Sequence, residues 1–273
     1  MTNPDFEIVR PDLPRGRYKA VLFDFDGTLS LLREGWPRVM VPMMVEALVR
    51  TGAGESEVEL GILVEEFVMA VNGRPAIFQM ARLVEEVRAR GGTPELPVAY
   101  LREYHERLMR LVNERVREIH ESHSPPERWT VAGSHLLLTH LRDRGLKLYL
   151  ASGTDLQSVR SEAELLKLSP FFGNEIHAPD GDDTAFSKRA VIDRILIVNA
   201  IRGEELLSFG DGVVETEEVR RVGGTAVAVA SEESPGEVNR WKRDRLVPAG
   251  ADVVIADYRD HERLLAWLFD ESV

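Results

Sequence analysis

The stretch Val21-Leu22-Phe23-Asp24-Phe25-Asp26-Gly27-Thr28 constrains this chain more than any other. Three apolar residues lead straight into two carboxylates one residue apart, then a glycine and a hydroxyl. A short apolar run of this kind reads as a buried strand. Residues i and i+2 of a strand point the same way, so Asp24 and Asp26 are expected to face one site at the strand's end. Gly27 permits a sharp turn there. In open α/β sheets the carboxyl end of a central strand is where ligands bind. Two such carboxylates repel each other unless a counter-charge stands by. Mg²⁺ supplies one, takes oxygen ligands and suits phosphate substrates, and a carboxylate can itself act as a nucleophile that carries a phosphoryl group. An Asp-rich turn is the plainer alternative, but the apolar strand directly before it is the structural context that gives such a motif weight.

The rest of the chain splits by periodicity. Trp36, Val39, Met40, Met43, Met44, Ala47 and Leu48 follow helical spacing. After a break at Thr51–Glu57, with Ser56 as the N-cap, a second helix runs to Val71. Asn72-Gly73-Arg74-Pro75 is a turn. A third helix carries Ile77, Met80, Ala81, Val84 and Val87, and a long fourth carries Tyr104, Leu108, Leu111, Val112 and Ile119. Residues 33–125 therefore contain no convincing strand. The methionines at 40, 43 and 44 are read as core.

Strand and helix alternate elsewhere. Strands are expected at Lys19–Asp24, Leu146–Ala151, Leu206–Phe209, Thr225–Ala230 and Asp252–Ile255. The helices between them include one capped by Asp155, one headed by Ser187-Lys188 and a last one carrying Leu264, Leu265, Trp267 and Leu268. Residues 1 to about 17 read as an irregular lead-in. Alternation of this kind implies an α/β fold with a mostly parallel sheet covered on both faces.

Three further stretches stand where phosphoryl chemistry would need them. Ser152-Gly153 directly follows an apolar strand, and a hydroxyl with backbone N–H groups at a helix start can hold a phosphate oxygen; Thr154 is the second choice. Lys188 heads a helix, and its ammonium can lower the repulsion between two anions. Phe209-Gly210-Asp211-Gly212-Val213-Val214-Glu215 places Asp211 at another strand end and a second acid four residues on.

With Asp24-Phe25-Asp26-Gly27-Thr28, these four elements in order resemble the motifs of the haloacid dehalogenase-like superfamily, most members of which are Mg²⁺-dependent phosphatases. The resemblance covers residues 19–30 and 130–257. It implies a Rossmann-like catalytic core, residues 1–32 and 126–273, interrupted by an all-helical cap, residues 33–125. It implies Asp24 as nucleophile and Asp26 as general acid and base. Mg²⁺ would be held by Asp24, the Asp26 carbonyl, Asp211 and Glu215, the last a Glu where many relatives have Asp. Ser152, Gly153, Lys188, Gly27 and nearby backbone N–H groups would hold the phosphoryl group. Asp26 speaks against the dehalogenases and phosphonate hydrolases of the superfamily, which lack an acid there. A phosphosugar mutase would keep every one of these residues.

Substrate choice is expected from the cap. Arg33, Trp36, Asn72, Arg74 and Gln79 lie at its entrance or turns; a guanidinium suits a second anionic group, and Asn and Gln suit sugar hydroxyls. The seven histidines form no compelling metal site: His120 and His123 have no third ligand nearby in sequence, and His135 and His140 are read as structural or surface residues.

Composition narrows the partners. The 34 basic against 46 acidic residues give a net charge of −12, which disfavours nucleic acid but not a small phosphorylated metabolite, whose affinity is set locally. No apolar run approaches the roughly 18 residues needed to span a bilayer. The first residues lack the apolar segment of a signal peptide. There is no cysteine, hence no disulfide, thiolate site or Cys nucleophile. A cytoplasmic phosphatase acting on a sugar phosphate or a phosphoglycolate-like acid is the expectation. A mutase, or a non-catalytic module that binds phosphometabolites, is the alternative. The oligomeric state stays open.

Overall fold

Short, nearly continuous apolar runs, buried on both faces, build most of a seven-stranded sheet in the computed structural model of this chain. The structure describes residues 6–70, 76–121, 123–180, 186–231 and 236–271. The strands are β1 (Phe6–Ile8), β2 (Ala20–Phe23), β3 (Lys147–Ala151), β4 (Ile176–His177), β5 (Leu206–Gly210), β6 (Thr225–Val229) and β7 (Val253–Ile255). Their order is β1-β7-β6-β5-β2-β3-β4. All neighbours are parallel except β1, which runs antiparallel to β7. From β2 the chain moves outward to β3 and β4. It returns to β5 on the other side of β2 and continues to β6 and β7. The order thus reverses at β2, the place where an open sheet leaves a crevice at its carboxyl end.

The chain divides into two units. One comprises the residues up to Glu34 and those from Glu118 onward; the other is Gly35–Arg117. The second unit holds α1 (Pro37–Val49), α2 (Glu57–Ala70), α3 (Ile77–Ala89) and most of α4 (Pro97–His120), and no strand among its described residues. Its core is built from the helical-period residues, Met40, Met43, Met44, Leu48, Val64, Met80, Leu83, Tyr104 and Leu108 among them. Ser56 caps α2 reciprocally: its Oγ accepts from Glu59 N and its own N–H donates to Glu59 Oε2. Such a cap contributes about 1 kcal/mol. The unit boundaries fall at 34/35 and 117/118. The reason at the second is that Ile119, in the last turn of α4, is buried in the core of the sheet-bearing unit.

That unit adds α5 (Ser134–Asp143), α6 (Leu156–Leu165), α7 (Ser169–Phe172), α8 (Lys188–Asn199), α9 (Val213–Arg221), α10 (Arg240–Ala249) and α11 (His261–Leu268). Successive strand residues face opposite ways. Val21 and Phe23 join Leu148, Leu150, Leu207 and Phe209 on one face, against α5, α6 and α11. Ala20 and Leu22 join Tyr149 and Ala151 on the other, against α8 and α9. Phe23 stacks on Phe209 at 4.9 Å between ring centres. Each large side chain buried in this way contributes about 1.5–3 kcal/mol. The fold is therefore α/β, with helices on both faces of a mostly parallel sheet.

Two expectations need correction. The lead-in is not wholly irregular, because Phe6–Ile8 forms the edge strand β1. Three residues carry too little alternation to be recognised, and what fastens them is distant. Buried Asp252 pairs through its carboxylate with Arg10 Nε at 2.9 Å and accepts Val9 and Arg10 N–H at its backbone oxygen. The other concerns α10, which has no strong apolar stripe and contains Pro248; it was not anticipated. Among the described residues no helix is long and apolar enough to cross a membrane.

Candidate active site

The first motif forms a tight turn at the end of β2. Asp24 N–H still donates to Phe209 O across the sheet at 2.9 Å, but the Phe25 carbonyl then accepts from Thr28, Leu29 and Ser30 N–H. The ladder cannot continue past such a turn. β2 thus ends at Phe23, and strand alternation does not carry Asp24 and Asp26 onto one set of partners. Gly27 sits at φ +74°, and a Cβ there would lie 2.2 Å from Asp211 Oδ2. Only glycine serves at this position, both for its left-handed backbone and for the approach of Asp211.

Asp24 is anchored from two sides. Its Oδ1 accepts from Phe25 N–H at 2.8 Å and from Lys188 Nζ at 2.8 Å. Lys188 comes from the first turn of α8, whose N-cap Ser187 accepts from Ala190 N–H. The same ammonium lies 3.1 Å from Glu215 Oε2. Glu215 is on the first turn of α9, and its Oε1 accepts from Gly212 N–H at 2.6 Å. It is 5% exposed, so its place is inside the site and not on a solvated face. Burial pushes the Asp24 carboxyl well above the usual carboxylate range, and Glu215 and Asp211 push the same way against the pull of Lys188. Burial also disfavours the Lys188 charge, but Asp24 and Glu215 outweigh it and hold the ammonium above its ordinary value. For Glu215 burial is the largest influence and pushes its carboxyl up, but the Lys188 charge and the hydrogen bonds to the carboxylate together outweigh it and hold the group below its usual value.

Asp26 has a separate set of partners. Its Oδ2 accepts from Thr154 Oγ1 at 2.8 Å, and its Oδ1 lies 3.5 Å from Arg33 Nε. Buried Oδ1 accepts no hydrogen bond among the described residues. Arg33 in turn reaches Glu162 Oε1 on α6 at 2.6 Å. Burial raises the Asp26 carboxyl above its ordinary value, while Arg33 and Thr154 oppose the rise. A half-buried acid that binds its proton more firmly than usual, with one oxygen held and the other accepting no hydrogen bond among the described residues, is suited to general acid and base work.

Ser152 stands one residue beyond β3, the parallel neighbour of β2. It is buried, its Oγ accepts from Thr154 N–H at 3.0 Å, and its hydroxyl proton remains available. A Cβ on Gly153 would meet nothing within 4 Å, so the loop is open there. Thr154, the second choice as a phosphate hydroxyl, is instead bound to Asp26.

Asp24, Asp211 and Glu215 each offer one oxygen, and those atoms lie within 4.8 Å of one another. An all-oxygen, carboxylate-rich donor set suits a hard divalent cation. Two of the three carboxylates share one ammonium, and the proton affinity of Asp24 is raised. Added positive charge would relieve both conditions. The residues therefore fit Mg²⁺.

Lys242 was not anticipated. It projects from the first turn of α10 and is 7% exposed; its Nζ lies 3.1 Å from Asp211 Oδ2 and 3.5 Å from Glu34 Oε2. Burial works against its charge, but Asp211 and Glu34 outweigh that and raise its affinity for the proton. No local signal marks it, since a lysine in a polar helix start is an ordinary sight. Thr154 as a partner of Asp26 and Glu162 as a partner of Arg33 were likewise unmarked, since both pairs lie far apart in the chain.

The expected substrate residues fare differently. Arg33 is bound between Asp26 and Glu162. Trp36 packs, partly buried, on the core of the helical unit. Gln79 is buried, and its Nε2 donates to the Val68 carbonyl at 3.2 Å. A buried amide must be hydrogen-bonded, and this one ties α3 to α2. Asn72 and Arg74 lie outside the described residues.

Solved structures share the fold over nearly the whole chain. A conserved haloacid dehalogenase-like protein of unknown function from Agrobacterium tumefaciens aligns with a TM-score of 0.59 at 17% identity, over 91% of this chain and 98% of its own. A predicted phosphoglycolate phosphatase from Haemophilus somnus aligns with a TM-score of 0.58 at 15% identity, over 91% and 98%. A candidate β-phosphoglucomutase from Thermotoga maritima aligns with a TM-score of 0.54 at 17% identity, over 90% and 98%. No curated protein matches the sequence. The model of the haloacid dehalogenase-like hydrolase family matches residues 18–223. That span takes in Asp24, Asp26, Ser152, Lys188, Asp211 and Glu215, and the chain belongs to this family of hydrolases.

Proposed function

We propose that this protein is an Mg²⁺-dependent phosphatase that hydrolyses a small phosphorylated metabolite, a sugar phosphate or a phosphoglycolate-like acid, through an aspartyl-phosphate intermediate. The observation that carries this reading is the convergence of Asp24, Lys188 and Glu215 from three separate elements, with Lys188 Nζ 2.8 Å from Asp24 and 3.1 Å from Glu215. In this reading an Asp24 oxygen attacks phosphorus as the bond to the leaving oxygen breaks, and Asp26 gives that oxygen its proton. Asp26 then takes a proton from the water that attacks the aspartyl phosphate, and inorganic phosphate leaves. Lys188, the Ser152 hydroxyl and the N–H groups near Phe25, Asp26 and Gly153 hold the transferring group, so that positioning and charge stabilisation supply most of the acceleration. Mg²⁺ would be held by Asp24, the Asp26 carbonyl, Asp211 and Glu215, and when bound supplies positive charge to the acidic cluster and the phosphoryl oxygens.

The helical unit takes the part of a substrate-selecting cap in this reading. A phosphosugar mutase would use the same residues, and the likeness to the Thermotoga maritima protein is the reason to test for one. The presence of Asp24, Asp26, Lys188 and Asp211 together speaks against a non-catalytic binding module. The test is phosphate release from sugar phosphates, phosphoglycolate, nucleotides and an aryl phosphate, with Mg²⁺, with EDTA and with Asp24→Asn. Release that needs Mg²⁺ and vanishes in Asp24→Asn is the expected result. Interconversion of phosphosugar isomers without release would replace the phosphatase by a mutase, and neither activity from folded, Mg²⁺-loaded protein would overturn both.

A further inference from the structure

Lys242 belongs to none of the four motifs, yet it is built into the site more completely than a surface lysine ever is. An ammonium has three protons to donate, and three acceptors surround this one: Asp211 Oδ2 at 3.1 Å, Ser231 Oγ at 3.3 Å and Glu34 Oε2 at 3.5 Å. Ser231 is itself fixed, since its hydroxyl donates to the Gly27 carbonyl at 2.6 Å. The Lys242 backbone is fixed as well, its N–H bonded to the Asn239 cap at 2.9 Å. Asp211 Oδ2 also lies close to Gly27, where a Cβ would come within 2.2 Å of it and 3.2 Å of Lys242 Nζ. The oxygen is thus held where the turn of the first motif meets a saturated ammonium. A carboxylate with one oxygen engaged in this way has the other to offer an ion.

We infer that Lys242 is a positioning residue that clamps Asp211 as a one-oxygen metal ligand and so selects a small six-coordinate cation, Mg²⁺, over Ca²⁺. Ca²⁺ takes six to eight oxygens and readily accepts a carboxylate through both of its atoms, whereas Mg²⁺ demands near-octahedral geometry and keeps waters. The neighbouring acids are held as well. Phe25 N–H and Lys188 hold Asp24 by Oδ1 alone, whereas Glu215 has Gly212 N–H on Oε1 and Lys188 on Oε2. Lys242 is the one clamp of this set that the family motifs do not contain. The inference rests on the metal reading of the proposed function, and its test is therefore direct binding, not turnover.

The experiment is calorimetric titration of the full chain with Mg²⁺ and with Ca²⁺, for the wild type, Lys242→Met and Lys242→Arg. Met keeps the length and the apolar stem and removes the ammonium; Arg keeps the charge. The preference for Mg²⁺ over Ca²⁺ is expected to fall about tenfold or more in Lys242→Met, the scale typical of losing a partner that orients a metal ligand. It is expected to be largely kept in Lys242→Arg. Circular dichroism checks the fold, and Lys242→Gln replaces Lys242→Met if the latter does not fold. A preference unchanged within about twofold in the folded variant, or one lost equally in Lys242→Arg, overturns the inference and leaves the phosphatase reading intact. A wild-type chain that binds neither ion removes the metal site, and the inference with it.

Discussion

Removing the Lys188 ammonium while keeping its bulk, as in Lys188→Met, tests the electrostatics of the site apart from its chemistry. In the wild type one cation, its side chain 15% exposed, serves two carboxylates whose side chains are 10% and 6% exposed, at 2.8 and 3.1 Å. Breaking a buried pair by taking away one partner costs about 3–5 kcal/mol, because the remaining charge is left uncompensated. Here two carboxylates are left, so the upper part of that range is expected at neutral pH in EDTA. Asp24→Asn should do the opposite. It leaves Lys188 and Glu215 as a one-to-one pair and removes the group that burial penalises most, so a gain of about 0.5–2 kcal/mol is expected, as is common when activity and stability conflict at one site.

The pH dependence has a definite sign. The Asp24 carboxyl is raised in the folded state, so the folded chain binds the proton more tightly than the unfolded one. Stability from this group is fully present below the ordinary carboxylate value and is lost as pH rises through the folded-state value. The advantage of Asp24→Asn over the wild type should therefore shrink as the solution is made acid, and the deficit of Lys188→Met should grow as it is made alkaline. Urea unfolding followed by circular dichroism, in EDTA across that pH range, gives the free energies. A Lys188→Met variant within about 1 kcal/mol of the wild type at neutral pH, or a deficit that ignores pH, would refute the reasoning.

Three further outcomes are expected. Arg33 lowers the proton affinity of Asp26, so in Arg33→Met/Glu162→Gln, which removes the pair together and leaves Asp26 alone without the cation, the alkaline limb of the kcat–pH profile should move to higher pH; a limb that stays put or moves down sinks the assignment of Asp26 as the acid. Gly27→Ala must place a methyl at φ +74° and against Asp211, which should cost about 1–2 kcal/mol for the backbone alone and weaken Mg²⁺ binding by about 10- to 100-fold, read by urea unfolding and calorimetry. Asp252→Asn loses the charge that serves Arg10 at 2.9 Å and Arg220 at 3.3 Å while keeping the bulk, and should lower unfolding stability by about 1–3 kcal/mol, with hydrogen exchange in β1 rising first.

What sequence alone determined here is what short-range periodicity encodes. The strand before Asp24, the caps at Ser56 and Asp155, the helix headed by Ser187-Lys188, the helical run within residues 33–125 and the alternating sheet all rest on residues a few positions apart, and local sterics and burial read such patterns directly. The motif residues Asp24, Asp26, Ser152, Lys188, Asp211 and Glu215 were legible for a related reason. Each stands at a strand end or helix start, where the backbone leaves groups to be used. Tertiary structure alone decided the partners. Thr154 meets Asp26 across 128 positions, Arg33 meets Glu162 across 129, and Ser231 meets Gly27 across 204. The β1 edge depends on Asp252, and the Lys242 clamp depends on where α10 is set against the first-motif turn. A polar residue carries no periodic signal for the charge it will meet, because Coulomb energy and desolvation depend on distance and burial in space, and the fold sets both.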